Sequence, residues 1–269
     1  MDATKKLIRG LKDVSSIFQE ELPETSFVRQ TPELQVLGVS SPQCDNDALF
    51  LNTYFASKIA SPNKPCSLIS LLSRSSRADG LDKKGFEPLG DYLKRHCIYW
   101  DELQSNLDTF QNSGINKPVK SRDIFLDFEY QQLLYSEQIV RLLDKWIILL
   151  RPTGESLAEG YKLMKAGVAI NPQVEFFVAL EGDAENLHGS VVYEYFSDFV
   201  FQHLNFNLTW LGWLDLSCTD RNISSTLHTD LLLYQAWNAR PCLEKFALAE
   251  WIESVENESQ KKSLEGVSS

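Results

Sequence analysis

The sequence predicts an α/β protein: a mostly parallel β-sheet flanked by helices on both faces. Three observations carry this. Short, unbroken apolar runs such as "LQVLGVSS", "CSLISLL" and "KWIILL" recur along the 269 residues, and strands buried on both faces read this way. Helix-length segments separate the runs, which is the alternation of a parallel sheet with crossover helices. The apolar fraction is 43%, enough for one large core.

The elements follow in order. Residues 1–20 predict a helix, because Leu7, Leu11, Val14 and Phe18 recur at helical spacing among charged residues. "ELPETSFVRQTPE" carries two prolines and reads as a linker. "LQVLGVSS" is the first strand, "NDALFLNTYFASKIA" a helix with Leu51, Phe55 and Ile59 on one face, and "CSLISLLS" the second strand. Residues 73–85 are polar and read as loop, and "FEPLGDYLKRHCIYWDELQSNL" as short helical pieces around Pro88 and Gly90. "RDIFLDF" is a strand and "QQLLYSEQIVRLL" a helix, followed by "KWIILLRP", the clearest central strand. "GESLAEGYKLMKAG" predicts a helix closed by Gly167 as its C-cap. "PQVEFFVAL" and "LTWLGWLDL" are strands around the helix "LHGSVVYEYFSDFVFQHL", and "SSTLHTDLLLYQAWN" and "LEKFALAEWIESVENES" are two closing helices. The resulting division is an N-terminal helix and linker (1–32), an α/β domain (33–258) and a flexible tail (259–269).

Composition narrows the chemistry. A net charge of −11, with no run of Lys or Arg beyond two, opposes nucleic-acid binding. The five cysteines are scattered, with no CxxC and no zinc-ligand spacing, so they read as reduced thiols of a cytoplasmic protein. No signal peptide or membrane-spanning run is visible, and the last helix has an acidic polar side (Glu244, Glu250, Glu253, Glu256) that anionic lipid would repel. Packing on the domain through Leu243, Phe246, Trp251 and Ile252 is the expectation for it. The four histidines share no motif.

The turn "SPQCDNDA" between first strand and first domain helix raises the functional question. Further on, "DIFLDF" ends in Asp127, Arg151 and Pro152 follow the central strand, and Tyr161, Leu163 and Lys165 lie on the next helix ahead of "LTWLGWLDL". In order, spacing and apolar pattern, residues from about 34 to 255 resemble the MinD/FlhG (ParA-type) P-loop ATPases. The resemblance implies a Rossmann-like P-loop NTPase fold. The short first helix, through Asp2 and Leu7, is similar to the N-terminal extension of FlhG-type proteins, which implies a partner-binding role for Asp2, Leu7, Leu11, Val14 and Phe18.

The catalytic motifs of that family are missing. Its phosphate loop uses glycines for close backbone approach, a lysine on the phosphates and a hydroxyl on Mg²⁺. Here the loop would be Ser41, Pro42, Gln43, Cys44, Asp45, Asn46 and Asp47, without glycine, lysine or a hydroxyl at the helix start. Asp45, Asn46 and Asp47 suit a helix start instead, where they complement the dipole and repel a triphosphate. The switch aspartate expected after "CSLISLL" is replaced by Ser70 and Ser73, and the adenine-contacting pair by Ala179 and Leu180. Asp127 alone survives, at the Walker B position, with a residual metal role or a loop-capping one.

The expectation is therefore a non-catalytic pseudo-ATPase with no cofactor. It would bind a protein partner, such as an active MinD/FlhG-type ATPase or a polar, secretion, flagellar, pilus or division component, without nucleic acid or strong membrane binding, and it allows a dimer. Two alternatives stay open: a divergent Mg²⁺-dependent ATPase using Asp127, with Arg74 or Arg77 as the basic group, and a structural partner subunit of an active homologue.

Overall fold

The computed structural model describes residues 33–42, 45–72, 85–113, 119–128, 137–182, 189–215, 224–225, 227–233 and 243–265. The chain divides into two compact units, Met1–Thr31 and Pro32–Ser269. The first, which holds Asp2, Leu7, Leu11, Val14 and Phe18, lies outside the described residues.

The second unit runs β1 (Leu34–Ser40), α1 (Asp45–Ile59), β2 (Cys66–Leu72), β3 (Gly85–Pro88), β4 (Leu93–Tyr99), α2 (Trp100–Ser113) and β5 (Arg122–Asp127). It continues with α3 (Glu137–Leu142), β6 (Lys145–Leu150), α4 (Gly154–Ile170), β7 (Glu175–Glu181), α5 (Gly189–Leu204) and β8 (Thr209–Asp215). A two-residue strand β9 (Ser224–Ser225), a 3-10 turn (Thr229–Leu232) and α6 (Leu243–Glu265) complete it. The nine described strands form one sheet in the order β3-β4-β2-β5-β1-β6-β7-β8-β9. The seven from β4 to β8 are parallel to their neighbours, and only the marginal pairs β3–β4 and β8–β9 are antiparallel.

Alternation along each strand sends successive side chains to opposite faces. Leu37, Val39, Leu68, Phe125 and Ile147 meet Leu51, Phe55 and Ile59 of α1 on one face, with Leu232 beside them. Val36, Ile69, Ile124, Ile148 and Val178 point the other way, toward Leu103 of α2, Ile139 of α3, Met164 of α4, Phe196 of α5 and Leu248 of α6. Helices cover both faces, as the sequence predicts, but unequally: among the described residues α1 and the 3-10 turn lie on one side and the other five helices on the opposite side.

Four local expectations are corrected. Residues 93–99 are not helical pieces but the strand β4, paired over its length with β2. Its polar residues Lys94, Arg95 and His96 broke the apolar run; Lys94 and Arg95 donate to Glu256 and Ser70, distant in sequence, and the buried His96 ring lies 3.7 Å from Glu256. Gly167 does not cap α4, which continues to Ile170 and is capped at Asn171. A Cβ at Gly167 would stand 2.8 Å from the Trp146 ring and 2.9 Å from that of Phe176, so glycine serves close helix–sheet packing there. The Asn171 amide closes the end by donating to the carbonyls of Val140 (3.1 Å) and Leu143 (2.8 Å). The stretch 224–232, expected as helix, is β9 and the 3-10 turn, because Ser224 and Ser225 pair with β8. Finally, α6 runs through residues 259–265, assigned to a tail by the sequence; Glu258, Gln260, Lys261 and Lys262 are good helix formers.

The last helix docks by apolar burial and by charge together. Trp251 and Ile252 are buried. Lys245 forms a buried ion pair with Asp144, whose other oxygen accepts the Val36 backbone N–H at 2.9 Å. Glu256 accepts from Lys94 Nζ at 2.8 Å and Arg122 Nη1 at 3.2 Å, and Glu253 lies 3.6 Å from Arg122 Nη2. Part of the helix's acidic side is therefore turned onto the sheet.

Candidate functional site

In open parallel sheets, ligands sit beyond the carboxyl ends of the strands, where the chain reverses its direction of travel across the sheet. Here that place lies at the ends of β1 and β5. From β1 the chain passes through α1 to β2, and from β5 it passes through α3 to β6 on the far side of β1. Gly38 permits the close fit at this point: a Cβ there would meet the Phe128 ring at 2.9 Å and Leu143 at 3.0 Å.

Asp127 ends β5, beside Val39 of β1 and Ser70 of β2. Like Phe125 two residues earlier, it faces α1. There its Oδ1 accepts from Asn52 Nδ2 at 2.9 Å and its Oδ2 from Ser70 Oγ at 3.2 Å. Ser70 Oγ in turn accepts from Arg95 Nε at 2.9 Å. The result is a string from β4 through β2 and β5 to α1: Arg95, Ser70, Asp127, Asn52. Asn52 is fully buried, and among the described residues its Oδ1 has no hydrogen-bond partner. On the opposite face Ser40 Oγ accepts from Trp146 Nε1 at 2.8 Å, so the hydroxyl at the end of β1 is held in the core.

The residues singled out by sequence distribute as follows. Ser41 is buried and Pro42 partly buried directly after β1. Gln43 and Cys44 lie outside the described residues, as do the side chains of Asp45, Asn46 and Asp47, whose backbone forms the first turn of α1. Arg74 and Arg77 also lie outside them. Ala179 and Leu180 are buried within β7, which extends to Glu181. The structure thus joins Asp127 to Ser70 and adds Asn52 and Arg95, which sequence reasoning missed. Arg95 was hidden by the helical reading of its segment; Asn52, a buried amide on the inner side of α1, gave no signal beyond being polar between Leu51 and Phe55.

A second polar cluster lies at the opposite, amino-terminal edge of the strands. Lys64 Nζ is 2.8 Å from Asp123 Oδ1. Burial raises the Asp123 carboxyl, opposed by the Lys64 charge. Lys145 donates to the carbonyls of Leu232 (3.0 Å) and Leu231 (3.4 Å). Burial lowers it to about 8, opposed by Glu175 and Asp123. The Cys66 thiol is pushed well up, first by burial and then by Asp123, which suits an inert thiol. These groups fasten the 3-10 turn and the strand starts. Among the described residues no three His, Cys, Asp or Glu side chains gather as a metal site would require, and no helix is long and apolar enough to cross a membrane.

No protein-family model matches the chain, and no curated protein matches it. Solved structures do. The MinD cell division protein of Aquifex aeolicus is similar at 13% identity and a TM-score of 0.46, over 79% of this chain and 94% of that one. A ParA family ATPase from Chlorobium tepidum TLS is similar at 14% identity and a TM-score of 0.44, over 68% and 84%. A putative plasmid partition protein from Borrelia burgdorferi B31, bound to AMPPNP, is similar at 12% identity and a TM-score of 0.44, over 84% and 100%.

Proposed function

We propose that the chain is a non-catalytic, MinD/FlhG-like pseudo-ATPase that serves as a protein-interaction scaffold or regulator, positioning or assembling a bacterial surface or division machinery such as a flagellum, pilus or cell pole. The observation that carries this is the state of Asp127. The surviving acidic residue of the site accepts hydrogen bonds from two side-chain donors, Asn52 and Ser70, which supports a structural role for it. The loop ahead of it lacks the lysine and glycines that would cradle a triphosphate, and a hydroxyl at the helix start, and such charge-assisted contacts are the strong ones in a phosphate site. The protein works in the cytoplasm, and residues 1–32, through Asp2, Leu7, Leu11, Val14 and Phe18, contribute to partner binding.

The test is a titration of the full chain with a fluorescent ATP analogue and Mg²⁺. No saturable binding through the micromolar range is the expected result; micromolar affinity overturns the reading. One observation favours the divergent ATPase as second reading: the buried Asn52 Oδ1 beside Asp127 has no hydrogen-bond partner among the described residues. That reading requires Mg²⁺-dependent ATP turnover abolished by Asp127→Asn.

A further inference from the structure

We draw no further inference here: the strongest candidate, the apolar groove between α4 and α5 lined by Tyr161, Tyr195 and Phe199, is an unpartnered face on which α4 carries acidic as well as basic side chains, and nothing in the structure shows what covers it.

Discussion

The side chain of Asp127 receives hydrogen bonds from a fully buried amide and a buried hydroxyl, and the hydroxyl is itself oriented by Arg95. An acceptor placed in this way has a structural consequence that a metal ligand does not. Asp127→Ala would leave the Asn52 amide N–H groups buried with their acceptor gone, which costs about 2 kcal/mol. The expected outcome is a lower urea midpoint with an unchanged slope. A carboxylate kept for binding a cation would show the opposite sign, since removing an unpaired functional charge commonly raises stability. Ser70→Ala should cost about 1 kcal/mol and should not add fully to Asp127→Ala, because both remove the same bond.

At the level of elements, α6 is the one whose attachment depends most visibly on charge. Burial by itself would raise the Glu256 carboxyl, but the His96 ring 3.7 Å away, the hydrogen bond from Lys94 and the charges of Arg122 and Lys94 hold it at about 2, below the 4.5 of a free glutamate. A carboxylate with a depressed folded pKa contributes stability that is complete above the unfolded value and is lost as pH falls through the folded one. The hold on α6 should therefore weaken as pH falls from about 4.5 toward 2. Glu256→Gln should destabilise the protein at pH 7 by about 2 kcal/mol, less than a fully sealed pair would lose, and should flatten the acid limb of the stability curve. Thermal melts of both proteins from pH 7 to pH 2.5 measure it; parallel curves would exclude this role for Glu256. The same element shows what a linear sequence conceals. The strands β1, β2, β5, β6 and β7 were legible because burial on both faces leaves the middle of each a mostly apolar run. β4 was not, since Lys94, Arg95 and His96 find their partners on α6 and β2, which only the strand order brings near. For the same reason the sequence placed Asp127 at the end of its strand but not Asn52, 75 positions away, against it.

Over the whole molecule, 37 acidic residues face 26 basic ones, and the arrangement sharpens the imbalance. A polyanion is bound by cations that are free to replace its counterions. In this fold many of the described basic groups are already engaged by the protein's own carboxylates: Lys64 by Asp123, Lys94 and Arg122 by Glu256, Arg151 by Glu181, Lys245 by Asp144. Several of these pairs are buried, so releasing the cation to a phosphate would strand a carboxylate in the core. The formal net charge of −11 predicts a field that opposes a polyanion at a distance. Non-specific duplex binding normally falls at about 10⁻⁴ to 10⁻⁶ M at physiological salt and tightens steeply as salt is lowered. For this chain a fluorescent random duplex should show no change in anisotropy at tens of micromolar protein even in low salt, roughly 50 mM, where any cationic surface would be most evident. Micromolar binding that weakens with added salt would mean that a basic surface lies outside the described residues, and would return nucleic acid to the range of partners this molecule serves.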